Sequence, residues 1–134
     1  MKRRLSLSVL LILVVAVCAV TAYAHHSVAA LYDASKMIRI EGKLISFSFR
    51  SPHSVVIVEA TDAKGTMQRW AIEWAGTSQL SNSGITQDTL KIGDEITVVG
   101  RPSRVPGEFK ALMVNLKRPS DGFSWGSRAG DVVD

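Results

Sequence analysis

Apolar and polar residues alternate along most of residues 37–117, and the places where the alternation breaks are as informative as the alternation itself. In the first run, MIRIEGKLISFSFR at 37–50, Ile38, Ile40 and Leu44 share even parity, while Ile45, Phe47 and Phe49 share odd parity. A strand keeps one face inward only if it holds a period of two. The shift therefore predicts a single long strand, bent or bulged between Gly42 and Ile45.

The β-branched run SVVIVEA at 54–60 follows the short turn Arg50-Ser51-Pro52-His53. TDAKGT at 61–66 reads as a second turn, and QRWAIEWA at 68–75 alternates again, with Trp70, Ile72 and Trp74 on one side and Arg69, Ala71 and Glu73 on the other. In TSQLSNSGIT, Thr77 is placed to cap one short helix and Gly84 to stop it. A turn at Lys91 to Asp94 then leads into a strand from Glu95 to Gly100. A turn holding Pro106 and Gly107 leads into FKALMVNLK at 109–117, where Leu112, Val114 and Leu116 alternate with polar partners.

Three strands, a short helix and two more strands, with a long bent first strand, predict an all-β domain with a small α contribution: a five-stranded OB-like Greek-key barrel whose helix lies between strands three and four. Residues 118–134, RPSDGFSWGSRAGDVVD, show no sustained period and are rich in Gly and Ser, so they are expected to form a mobile tail.

Ahead of the barrel, Lys2, Arg3 and Arg4 precede an apolar run from Leu5 to Val20 and then Ala22-Tyr23-Ala24. Charged, apolar and small residues in that order describe an export signal with an A-x-A cleavage site. The expected domains are a signal at 1–24, a barrel at 25–117 and a tail at 118–134, with the mature chain beginning at His25 in the periplasm or outside the cell. Cleavage also changes the charge. The signal takes three of the 16 basic residues and no acidic one, leaving 13 against 12. So small an excess provides no broad footprint for nucleic acid or anionic membrane. Cys18 is the sole cysteine and leaves with the signal, so the mature chain has neither thiol nor disulfide.

What remains in candidate chemistry is histidine. The chain's three are His25, His26 and His53. A free α-amine on His25 and Nδ1 of its own ring can close a six-membered chelate on one metal ion. Both groups lose their protons near neutral pH, which makes them ready donors. A third nitrogen would come from His53, in the loop between the first two strands that OB-folds use for ligands, or from His26. Pro52 stiffens that loop. A nitrogen-rich tetragonal set favours copper, with zinc as the other candidate.

Trp70, Trp74, Phe47 and Phe49 could stack against a ligand, but their shared parity with Ile72 assigns them first to the core. Glu73 and Arg69 lie on the opposite face, either as a polar support to a metal or ligand or as a solvated cross-strand pair. For enzymatic chemistry the chain offers no thiol, no Gly-rich phosphate loop and no serine in a nucleophile turn, so catalysis by side chains alone is not expected.

HHSVAALYD at the expected mature start, SPH between the first two strands, WAIEWAG and LKIGDEITVVGRPSR together resemble a family of small exported bacterial proteins of unknown function with an OB-like domain. The resemblance covers roughly residues 24–117 and implies no reaction. It points to His25, His26, Pro52, His53, Trp70 and Glu73. Ser51 stands where that family typically has asparagine, and Val28 where it has phenylalanine. The expected function is an exported OB-like protein that binds one copper ion through His25 and His53. The rival expectation is a metal-free module that takes a small ligand or a protein on the barrel face.

Overall fold

The computed structural model describes residues 28–126. Residues 28–31 form one helical turn in a leading unit that ends at Leu31, and the barrel lies in the unit beginning at Tyr32. Its elements are β1 (Ile38–Ser48), β2 (Val55–Thr61), β3 (Met67–Glu73), α1 (Thr77–Asn82), β4 (Glu95–Pro102), β5 (Lys110–Arg118) and β6 (Phe123–Gly126). Among the described residues no helix is long and apolar enough to cross a membrane.

β1 pairs with β2 and β4, β2 with β3, and β4 with β5, all antiparallel. The ring closes where Ala71–Glu73 of β3 runs parallel to Lys110–Leu112 of β5. A ring in the order β1-β2-β3-β5-β4, with a helix between β3 and β4, is the OB arrangement expected from the sequence. Ile40, Leu44, Val56, Val58, Ile72 and Val98 point into the ring, and Leu80 of α1 joins them with Ile85 and Leu90 from the following loop.

The parity shift in β1 is a bulge. Leu44 pairs with Val58 and Ser46 with Ile57, so Ile45 is the extra residue. It lets one strand turn from pairing with β4 along its first half to pairing with β2 along its second. At Gly42 the backbone of β1 presses on β2, and a Cβ there would collide with the carbonyl oxygen of Glu59 and the side chain of Ala60.

Three expectations are corrected. In β5 the buried positions are Ala111, Met113 and Asn115, while Leu112 and Val114 are only half-buried; burial joins the expected parity at Leu116. The reason is a bulge in β5 itself: Val99 of β4 pairs with Asn115 and Gly100 with Met113, so Val114 is the extra residue and the inward parity changes there. Thr77 does not cap α1. The N-cap is Gly76 with no side-chain cap, while Thr77 Oγ1 lies 2.7 Å from Ser51 Oγ. Gly84 does follow the helix, at φ +77°.

The third correction concerns the tail. The domain continues past residue 117 into β6, which pairs with Asn115–Arg118 of β5. Trp125 packs edge-on to Trp74 with centroids 5.0 Å apart. Arg118 organises this addition: it donates to Asp94 Oδ2 at 2.6 Å and to the Thr89 carbonyl at 2.7 Å, grips both oxygens of Asp121, and lies over the Phe123 ring. Four residues with small neighbours give too short a pattern to register as a strand, although Phe123 and Trp125 do alternate. Residues 127–134 of the expected tail, and the whole of the expected signal, lie outside the described residues.

Gly42→Ala is expected to cost about 3 kcal/mol, because backbone rather than a movable side chain blocks the new methyl. The measurement is the urea midpoint, which should fall with an unchanged m-value. The Arg118–Asp94 pair carries a pH signature. Burial raises the Asp94 carboxyl, but the Lys91 amide and the Arg118 hydrogen bond and charge outweigh it and leave the group below its ordinary range. A carboxyl depressed by folding stabilises the native state above its unfolded pKa, near 3.9, and loses that contribution as pH falls through the folded value. Asp94→Asn should therefore cost about 2 kcal/mol at pH 7, between the values for exposed and buried pairs. The difference from the native chain should vanish as acid protonates Asp94.

Candidate functional site: the His53 corner

The turn from Arg50 to Ser54 is held from within and from outside. Ser54, fully buried, donates from Oγ to the Arg50 carbonyl at 3.1 Å and accepts from the Arg50 amide at 3.2 Å. The Ser51–Pro52 peptide bond is cis. From outside, Gly76 lies directly against the turn, where a Cβ would sit 2.6 Å from the Pro52 carbonyl oxygen, and the Ser51–Thr77 contact ties the turn to α1. The ladder continues past β2, with the Ser54 amide donating to Ala75 and the Trp74 amide to Ser54. His53 thus extends from a braced turn, with its side chain 47% exposed.

Glu73 meets it from the next strand. Val55 pairs with Glu73, and His53, two residues earlier, has the same parity as Val55, which makes His53 and Glu73 diagonal neighbours. His53 Nδ1 lies 3.7 Å from Glu73 Oε2. That is an ion-pair distance, too long for a hydrogen bond.

A third member was not picked out as a site residue in the sequence. Tyr32 is 4% exposed, bridges to Ser103 beyond β4, and is followed by Asp33, whose amide donates to the Pro102 carbonyl at 2.9 Å. Its phenol is pushed well above the ordinary tyrosine range, first by burial and then by the Glu73 carboxylate, which repels the phenolate and accepts the phenol's hydrogen bond; Glu108 adds to the repulsion. The signal that could have found it is its place in HHSVAALYD, where an aromatic residue with a polar tip follows a small-residue run.

Among the expected site residues, the structure brings together Pro52, His53 and Glu73. It separates Trp70, whose ring is half-buried and packs edge-on against Phe109 at 5.1 Å between centroids, an apolar role that agrees with the core assignment. Trp74, Phe47 and Phe49 also form one aromatic cluster, with Phe47 centred 5.8 Å from Trp74 and 5.9 Å from Phe49. Arg69 pairs with Glu59, the solvated cross-strand alternative. His25 and His26 lie outside the described residues. Among the described residues no three His, Cys, Asp or Glu side chains converge on one point, so the barrel supplies two donors at this corner.

Residues 12–111 match the family of unknown function DUF6152. The chain belongs to that family. The matched span of this DUF6152 protein includes His25, His26, Pro52, His53, Trp70 and Glu73, the positions to which the sequence resemblance pointed. No curated protein matches the chain. Among solved structures it is similar to the mitochondrial single-stranded DNA binding protein of S. cerevisiae, with 10% identity over 62% of this chain and 92% of that chain and a TM-score of 0.45. The OB assignment rests on the strand order itself.

Two measurements check the corner. Gly76→Ala should displace the Pro52–His53 turn, seen as a shift of the His53 imidazole resonances in a chain that remains folded. Tyr32 should stay un-ionised at pH values near 10, where a free tyrosine titrates, and ionise on denaturation. A phenol whose pKa is raised by folding stabilises the native state below its unfolded pKa and loses that contribution as pH rises through the folded value. Alkaline unfolding should therefore be less steep in Tyr32→Phe.

Proposed function

We propose that this protein is exported and binds one copper ion at the His53 corner, with His53 joined by the amine and imidazole of a mature N-terminal His25, and with His26 as a further donor. The observation that carries the reading is the 3.7 Å separation of His53 Nδ1 and Glu73 Oε2 on a braced turn. Two donors bound at right angles to one ion, each about 2 Å from it, stand about 3 Å apart. A small side-chain adjustment closes the difference.

An amine, imidazoles and a carboxylate form an N/O set that suits Cu(II), which is also the tightest of the common divalent guests for such a site. Zinc is the competitor by ligand type. Sequestration, delivery or sensing of the ion would follow from a site with no catalytic side chains beside it.

Native mass spectrometry of the chain exported by its own leading segment tests the proposal. The expected result is a polypeptide beginning at His25 that retains one copper against a competing chelator, with retention lost in His25→Ala and in His53→Ala. A chain that begins elsewhere, that takes no copper, or that binds copper equally after His53→Ala would overturn it and turn attention to the barrel face as a site for an organic or protein ligand.

A further inference from the structure

Among the described residues two arginines are half-buried, Arg101 and Arg118, and the chain treats them differently. Arg118 donates to Asp94, to both oxygens of Asp121 and to the Thr89 carbonyl. The Nε of Arg101 is sealed from solvent and has no hydrogen-bond partner among the described residues. A guanidinium keeps its proton at any pH a folded protein meets, so it cannot relieve desolvation by becoming neutral. A buried donor on a charged group without an acceptor costs more than a neutral one. Such a group in a folded protein calls for a reason.

Arg101 lies near the end of β4, where alternation with the inward Ile96 and Val98 places it on the outer face. It pairs with Leu112 of β5, itself half-buried. The acids on the neighbouring backbone are committed elsewhere. Asp33, whose amide donates to the Pro102 carbonyl, accepts from the Ser35 amide and hydroxyl and pairs with Lys36. Glu108 accepts from the Ser103 hydroxyl at 2.8 Å and from Lys110 at 3.2 Å. Glu73, which pairs with Leu112 from the side away from β4, faces His53. Carboxylates thus stand on the segments around Arg101, and each is turned to another partner.

We infer that Arg101 is the binding residue for a small organic carboxylate, taken on the outer face where β4 pairs with β5. A guanidinium fork presents parallel N–H donors that match the two oxygens of a carboxylate or of a phosphate. The surroundings choose between them. Asp33, Glu73 and Glu108 make the local field negative, which opposes a doubly charged phosphate more than a singly charged carboxylate. Leu112 and Met37, which is 46% exposed and precedes the Ile38 that pairs with Gly100, offer apolar surface to an organic body. Engagement turns the sealed Nε onto the ligand and replaces an unmet donor with a charge-assisted bond. None of the proposed metal donors takes part, so binding requires no copper.

In the free protein the unmet donor is a liability. Arg101→Met keeps an unbranched stem and removes the charge, so it should melt no lower than the native chain. A drop of many degrees would mean that the guanidinium already has a partner inside the protein, and would overturn the inference. Arg101→Lys keeps the charge but lacks the fork and its Nε.

The experiment follows the arginine Nε–H resonances of the isotope-labelled protein during titration with propionate and, separately, with inorganic phosphate, at neutral pH and constant ionic strength. The expected result is a saturable shift confined to Arg101, with propionate bound more tightly than phosphate. Read from the Gly100 and Leu112 amides, propionate affinity should fall about tenfold or more in Arg101→Lys. Propionate should also raise the melting temperature of the native chain and leave that of Arg101→Met unchanged. Equal shifts at the exposed Arg39 and Arg69 would reduce the effect to general ion association and overturn the site. Phosphate bound more tightly than propionate would overturn the carboxylate assignment, and full affinity in Arg101→Lys would overturn the role of the fork. Absence of any saturable shift at Arg101 removes the inference, whatever the outcome with copper.

Discussion

The barrel closes through three residues. β3 pairs with β2 over its whole length but with β5 only at Ala71, Ile72 and Glu73, and this short parallel contact turns an antiparallel sheet into a ring. A strand with a neighbour on either side has its backbone fixed twice, so the side chains of that segment are placed more rigidly than those of an edge. Ile72 uses that rigidity for the core, where it is fully buried. Glu73, one residue on and of opposite parity, carries it to the outside. The fold therefore delivers a well-placed carboxylate at the seam of the ring, beside the β1–β2 turn that carries His53.

Closure of so small a ring depends on local breaks in regularity. The bulge at Ile45 lets β1 serve two partners in succession, and the shift at Val99–Gly100 lets β4 and β5 stay paired while their faces rotate. Beyond the contact with β3, β5 would present a bare edge. β6 covers that edge over Asn115–Arg118, and Arg118 bonds across to the β4 entry turn through Asp94. The strand is short, and its attachment relies on charge and aromatic packing as much as on the ladder.

Much of this was legible in the sequence because it is written in period two. Ile38 and Ile40 against Phe47 and Phe49 located the β1 bulge, and Trp70, Ile72 and Trp74 located the inner face of β3. In β5, Ala and Met occupied the buried positions while Leu and Val took the half-buried ones, because both faces of that strand are apolar and the decision rested with a bulge at Val114 that only the pairing with β4 reveals. Thr77 resembled a cap by type, but the N-cap is Gly76, and the Thr77 hydroxyl meets that of Ser51, distant in sequence. β6 was hidden by its brevity. At the candidate site, His53 and Glu73 could each be named from the chain, but their meeting depends on the β2–β3 register, and Tyr32 enters through a bridge to Ser103 that no local pattern encodes.

The polar corner also explains an arrangement that stability alone would not select. A glutamate on an outer strand is most simply accommodated by a lysine or arginine across the ladder, as at Glu59 and Glu95. At Glu73 the partner across the gap is His53 instead, at 3.7 Å. Burying a tyrosine beside a carboxylate adds a desolvation cost that phenylalanine would avoid. That choice is unfavourable for a surface whose task is only to be soluble. The braced turn, the glycine that lets Pro52 approach α1, and the doubly paired strand all narrow the freedom of the same two side chains, His53 and Glu73, and that convergence sets this corner apart from the lysine- and arginine-paired glutamates of the other strands.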